Sequence, residues 1–384
     1  MKRLALLLLA LVSLSAAAAT PEDRLSQVFQ AIEANQPDVA LKRVDSLIAD
    51  YPNFRLAYLV RGDLLLARAR PLETFGNVLK TVPEGRVTDL REEALARLRA
   101  QRQRPADDRL PRYVLQLNKD QKNALVVDAR RSRLYVYANE GGTPKLIADY
   151  YVTLGKNGIE KTREGDQKTP VGVYHVTANL PRKKLTDFYG AGAFPISYPN
   201  EWDRRQGRSG HGIWLHGVPS NVYSRAPRAS DGCIVLANPD LESVSQRLQI
   251  GLTPVIIADE VEWVERSALE TERSSLAAEI EQWRADWQSR DTERYLGHYS
   301  QRFSSGKESL AAWAAHKRKV NGAKSWIKVG LGRVTMLRYP HERDVVVVTF
   351  DQDYKSNGLS NVMKKRQYWM KENGRWKILY EGAA

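Results

Sequence analysis

Cysteine is almost absent from this chain: Cys233 is the only one among 384 residues. One cysteine excludes an internal disulfide, so no covalent staple holds the fold. Long apolar runs are also missing. After the first nineteen positions no segment approaches ~18 continuous apolar residues, which excludes a later membrane-spanning helix. Acidic residues are in deficit, and the formal net charge is +14. No second cysteine accompanies the histidines at a zinc-type spacing. His298, His316 and His341 lie far apart, and no metal or cofactor is expected.

What is present begins with an export segment. Lys2 and Arg3 precede the apolar stretch from Leu4 to Leu14, and Ala17-Ala18-Ala19 supplies the small residues a signal peptidase requires. Residues 1–19 are therefore expected to be a signal peptide, and the protein to be exported, into a periplasm. An uncleaved anchor is the alternative. Exported proteins use cysteines in pairs, so an unpaired one is either an incidental small hydrophobe or a working thiol.

The basic excess is uneven. Residues 20–109 carry 15 basic and 14 acidic side chains, 110–258 carry 20 and 13, and 271–384 carry 21 and 13. The middle and C-terminal thirds thus favour polyanions. For an exported protein the expected polyanion is a carboxylate-rich cell wall and not nucleic acid.

Patterning divides the chain further. Residues 20–108 read as a helical module, with Leu25, Val28, Phe29 and Ile32, then Val39, Leu41, Val44, Leu47 and Ile48, then Leu56 to Leu66 at helical spacing. The breaks at Asn35-Gln36-Pro37 and Tyr51-Pro52-Asn53 suggest tetratricopeptide-like antiparallel pairs. A linker is expected from Gln101 to Pro111. Residues 110–258 read as mostly β, with strands near 124–128, 134–137, 150–154, 171–176, 212–216 and 255–258 and a short helix over 242–248. A polar helix is expected from Glu260 to Arg290. After it, residues 272–384 put helices before strands at 325–329, 334–337, 344–350, 362–370 and 375–380, which predicts an α+β cone. Tyr299 is expected on a helix or turn, and the tryptophans, Trp326 among them, in the core. The fold class expected is multidomain α+β.

The chemistry gathers in the middle unit. His216 ends Gly212-Ile213-Trp214-Leu215-His216, and Cys233 closes Ser230-Asp231-Gly232-Cys233. A thiolate far exceeds a thiol as a nucleophile, and a histidine can remove the thiol proton. Gly232 permits a tight turn whose amide, with that of Cys233, can face a developing oxyanion. Gly217 leaves room beside the histidine and offers a carbonyl to orient it, and Ser230 belongs to the same backbone support. Arg225 and Arg228 are candidates for gripping a carboxylate. His211 and Asp231 are further candidates for substrate contact, although His211 is expected in a loop.

These residues carry a resemblance. His216-Gly217 followed by Ser230-Asp231-Gly232-Cys233 resembles the signature of the L,D-transpeptidase catalytic-domain family of peptidoglycan-modifying cysteine enzymes. Leu154-Gly155-Lys156-Asn157-Gly158, Glu164-Gly165-Asp166 and Lys168 to Tyr174 resemble that family's preceding strands and loop. The resemblance implies a β-rich catalytic fold, Cys233 as nucleophile and His216 as general base and then acid. It implies peptidoglycan stem peptides as substrate, cut between a diamino acid and D-alanine through a thioester. The chain departs from the commoner family text at Asp231, where a histidine is usual, and at Val235, where an arginine is usual. With Asn238, the Asp231 form resembles a branch of cell-shape L,D-carboxypeptidases whose C-terminal domain is similar to nuclear transport factor 2. The resemblance implies transpeptidation to an amine, with carboxypeptidation to water as the alternative. A non-catalytic wall-binding scaffold is the rival from another class. The helical and C-terminal units leave room for wall or protein partners.

Overall fold

The computed structural model describes residues 20–77, 84–306, 308–342 and 344–384. The expected signal peptide lies outside the described residues. No helix among the described residues is long and apolar enough to cross a membrane.

Among the described residues the N-terminal unit has four helices: α1 (Pro21–Glu33), α2 (Pro37–Asp50), α3 (Arg55–Ala67) and α4 (Glu84–Arg102). Thr20 caps α1 reciprocally with Asp23, and prolines occupy the first helical positions of α1 and α2, where no amide partner is lost. Leu25, Val28, Ala40, Val44, Leu47, Leu56 and Val60 close the core. Ile32, Val39, Tyr58 and Leu65, expected on buried stripes, are instead exposed. The fourth helix lies inside the segment expected to be helical but showed no apolar stripe of its own, because eight of its nineteen residues are arginine or glutamate.

The middle unit is built on a five-stranded sheet. Its order is Thr143–Tyr151, Arg133–Glu140, Asn123–Asp128, Pro254–Ala258, Gly172–His175. Asn123–Asp128 and Pro254–Ala258 run parallel and are buried on both faces, which explains their continuous apolar text. Across the core from this sheet lies a smaller one, Ala193–Pro195, Trp214–His216 and Ile234–Val235, and the edge pair Leu154–Gly155 with Arg228–Ser230. The short helix starts earlier than expected, at Asn238–Ser245.

The third unit wraps long strands around the helix Arg266–Ser289. Tyr299–Ser305 is a strand, so Tyr299 does not lie on a helix. Ile327–Arg338 is one continuous strand where two were expected, because an irregularity between Gly332 and Thr335 bends it without ending it. Trp283, Trp287, Trp313, Trp369 and Trp376 are core residues, but Trp326 is exposed.

Two features join the units. Arg109–Pro111, inside the expected linker, pairs with Trp263–Glu265. Val114–Gln116 packs against the middle unit but forms the last strand of the C-terminal seven-stranded sheet, beside Ile327–Arg338.

Candidate active site

The parallel pairing of Trp214–His216 with Ile234–Val235 brings the two chemical residues together. Leu215 stands opposite Ile234 and His216 opposite Val235. Cys233 immediately precedes the second strand, and by the two-residue alternation of a strand its side chain shares the face of His216. The strand is only three residues long, so the alternation does not reach back to His211.

His216 is buried, and its Nδ1 lies 2.6 Å from the Gly217 carbonyl oxygen. A carbonyl only accepts, so Nδ1 carries the hydrogen and Nε2 keeps its lone pair. Two rings enclose the imidazole: Tyr189 edge-on at 5.2 Å and Phe188 at 5.7 Å between centroids. Burial drives the His216 pKa down to about 4, with the Gly217 carbonyl opposing and the positive charge of Arg225 assisting. The histidine is therefore a neutral base at neutral pH.

Cys233 is half-buried and unpaired. Its Sγ donates to the Gly212 carbonyl at 3.4 Å. Burial pushes the thiol above its ordinary value; the Trp214 amide pulls it back, Asp231 raises it, and Lys161 and Arg225 lower it. The resting pair is thus thiol and neutral imidazole. Such a pair needs the proton moved during attack, because no thiolate is stored beforehand.

The glycines act differently from expectation. The Gly232 amide donates to Ser230 Oγ at 3.1 Å, and Ser230 Oγ donates to the Cys233 carbonyl at 2.7 Å. Gly232 therefore has no amide to offer an oxyanion, whereas the Cys233 amide has no acceptor among the described residues. Gly232 is needed for its φ of +120° and for its approach to the Lys168 carbonyl, 2.6 Å from where a Cβ would stand. The space beside Gly217 is not open for substrate. Asn238 Oδ1 fills it, accepting from Ala191 N at 2.9 Å and Val218 N at 3.2 Å, while Asn238 Nδ2 donates to the Val218 carbonyl at 2.9 Å.

The two arginines separate. Arg225 is half-buried, with its guanidinium 4.8 Å over the Phe188 ring. It has no carboxylate partner among the described residues. Arg228 is exposed on the edge strand Arg228–Ser230. His211 is exposed and pairs with Glu164 at 3.2 Å; it directly precedes Gly212, whose carbonyl accepts from the cysteine. Asp231 is exposed and pairs with Lys156 at 2.9 Å. No cluster of metal-ligating side chains occurs among the described residues.

Several supporting residues escaped sequence reasoning. Thr169, fully buried, donates to the Gly232 carbonyl at 3.0 Å and accepts from the Gly155 amide at 2.9 Å, so it ties the cysteine turn to the neighbouring strand. Lys161 is buried against Asp166 at 2.7 Å. Burial would raise Asp166, but hydrogen bonds from Lys161 and three backbone amides hold it at about 2. Thr169 and Asp166 stood within quoted motifs, yet their partners are set by the fold. Asn238 entered the sequence reading only through the branch resemblance, with no role given, and the Phe188–Tyr189 pair carried no local signal of a site.

A thiol beside a buried imidazole of fixed tautomer, on a β scaffold, defines a site suited to acyl transfer. Comparison with known proteins agrees. The family model for the L,D-transpeptidase catalytic domain (YkuD) matches residues 122–257, and that for the Cds6 C-terminal NTF2-like domain matches 275–382. Bd1075 of Bdellovibrio bacteriovorus has a solved structure 30% identical to this chain, with a TM-score of 0.63, covering 72% of this chain and 98% of that one. The helical cell shape determining protein Pgp2 from Campylobacter jejuni is 26% identical, with a TM-score of 0.60, over 70% of this chain and 95% of that one. The L,D-transpeptidase-type protein YafK of Escherichia coli (strain K12) is 28% identical over 114 residues, and the chain spans only 42% of its length. The chain belongs to the family that carries the L,D-transpeptidase catalytic domain, here followed by an NTF2-like domain.

Proposed function

We propose that the protein is an exported, periplasmic peptidoglycan-modifying cysteine enzyme. His216 Nε2 takes the Cys233 proton as Sγ attacks the carbonyl between the diamino acid and the terminal D-alanine of a stem tetrapeptide. The Sγ–C bond forms, and the Cys233 amide faces the oxyanion. Collapse breaks the C–N bond, and the imidazolium returns its proton to the departing D-alanine amine. An acceptor amine then attacks the thioester, the imidazole takes its proton, and the thiol is regenerated. Arg225 receives the substrate carboxylate, since it is half-buried, charged and without a carboxylate partner among the described residues. The observation that carries this reading is the Nδ1–H bond to Gly217, which leaves the lone pair on Nε2 of a buried, neutral imidazole, on the strand that pairs with the one Cys233 precedes.

A second reading has water as the acceptor, giving L,D-carboxypeptidation. It is favoured by Val235, buried at 2% exposure opposite His216 where the commoner family text has an arginine, so a polar group of the site's support is missing. Incubation of purified disaccharide-tetrapeptide with and without an acceptor stem, followed by mass analysis, decides. Cross-linked dimer or D-alanine exchange is the outcome expected for transpeptidation; tripeptide alone assigns water. Cys233→Ala should abolish either product, by about a thousandfold or more. Wild-type protein that turns nothing over and takes no adduct at Cys233 from a carbapenem is instead a wall-binding scaffold.

A further inference from the structure

Part of the segment between His216 and Cys233 packs on another unit. Its central residue, Tyr223, is 4% exposed and belongs to the hydrophobic core of the helical module. The ring stacks on Phe54 at 4.1 Å and meets Tyr51 edge-on at 5.6 Å. The backbone is gripped as well. The Tyr223 amide donates to the Asn53 carbonyl at 3.2 Å, and Asn53 Nδ2 donates to the Ser220 carbonyl at 3.1 Å. One residue on, Ser224 Oγ donates to Glu93 Oε1 at 2.6 Å, and Glu93 is held by Arg97 Nη2 at 2.8 Å.

The next residue is Arg225. Its carbonyl accepts from Tyr151 at 2.9 Å and from Thr153 at 3.1 Å, both on the catalytic unit. Arg97 lies 4.0 Å over the same Tyr151 ring. Arg225 is therefore fixed where the two units meet, from the helical side through Tyr223 and Ser224, and from the catalytic side through its carbonyl. Only then does its guanidinium reach across Phe188 toward His216. Nothing in the loop's sequence supplies that conformation: without the helical core, Tyr223 would have no apolar site to fill.

We propose that Tyr223 and Ser224, anchored on Phe54 and Glu93, are positioning residues of the active site, and that the helical module sets the anion-binding arginine of the catalytic unit. The inference rests on the reading that Arg225 receives the substrate carboxylate. Its physical basis is preorganisation: a cation held in place before binding loses less freedom on gripping a carboxylate than one on a free loop.

The test is a double-mutant cycle in the full chain, with kcat and KM measured on disaccharide-tetrapeptide. Arg225→Ala should raise KM about tenfold or more, as loss of a charge-assisted contact implies. Tyr223→Ala should raise KM about tenfold with kcat within about twofold, and Tyr223→Phe, which keeps the stack, should stay within about twofold of wild type. In the Arg225→Ala background, Tyr223→Ala should add less than about twofold, because both changes remove one interaction. Equal effects of Tyr223→Ala in both backgrounds would overturn the proposal. So would a fall in kcat alone. If Tyr223→Ala does not fold, Ser224→Ala removes only the bond to Glu93; it should raise KM about threefold, and only when Arg225 is present. An Arg225→Ala variant with unchanged KM overturns both the arginine's role and this proposal, while activity surviving in Cys233→Ala would instead sink the catalytic reading itself.

Discussion

The catalytic unit is flanked on two sides, and the two contacts are built from opposite materials. On the C-terminal side the units are fused. Val114–Gln116 extends the C-terminal sheet, and one hydrophobic cluster runs from Val126, Tyr135, Val173 and Ile256 to Leu337, Val347, Tyr368 and Leu379. Trp202 stands at its centre, 5.0 Å from Tyr368 and 5.6 Å from Tyr339. On the helical side the contact is one aromatic plug surrounded by buried charge. Arg97 bridges Glu93 and Glu22, and Arg133 joins Glu22 at 2.9 Å to Asp149. A shared apolar core cannot be parted without exposing it to water, at ~25 cal/mol per Å². A charged, locally specific contact can be opened piecemeal, and inter-domain contacts of that kind are where motion is expected. The C-terminal unit is thus part of the catalytic fold's stability, and the helical module part of its adjustment.

This comparison can be broken or sharpened by experiment. The largest effect should come from Trp202→Ala, which empties the fused core and should cost ~3–5 kcal/mol in chemical denaturation. The folded fraction should keep its kcat/KM; a selective rise in KM with little loss of stability would erase the contrast. Next is Arg97→Ala, which leaves the buried Glu93 without its cation and should cost about 3 kcal/mol. Here hydrogen exchange should quicken in α1–α4 and in residues 217–227, with the C-terminal strands unchanged. Protection lost equally across the chain would mean that the helical contact is as integral as the other.

A pH series tests whether the chemistry stands apart from both flanks. His216 is buried neutral with a pKa of about 4, below its ordinary 6.5, so the base is present above that value and lost as pH falls through it. kcat/KM should therefore hold steady on the acid side down to about pH 5 and then fall about tenfold per unit below 4. Trp202→Ala should not move that limb. Arg225→Ala should move it slightly upward, since the arginine's charge helps to hold the imidazole unprotonated. The smallest effect belongs to Asn53→Ala. Loss of its one bond to the Ser220 carbonyl should cost about 1 kcal/mol, read as a small fall in melting temperature, with KM raised no more than about twofold.

Much of this was legible in the chain itself. A single cysteine, a histidine ending an alternating run and a glycine before the thiol singled out Cys233 and His216, because strand alternation and backbone freedom are local properties. The order of helical, β-rich and mixed units followed from periodicity in the same way. Partnerships across long separations were not legible. Ser224 and Glu93 are 131 residues apart, and Asn53 and Ser220 are 167 apart. Nothing in either segment's composition names the other.

Tertiary structure alone separated Arg225 from Arg228, half-burying one beside Phe188 and leaving the other on an exposed edge. It also gave the Gly232 amide to Ser230, filled the space at Gly217 with Asn238, and carried Val114–Gln116 to a distant sheet. The sequence by itself determined which groups can do chemistry and which segments bury a face. Which of those groups meet, and which amides remain free to act, was decided by packing, because hydrogen-bond and ring partners are selected by three-dimensional proximity and not by spacing along the chain.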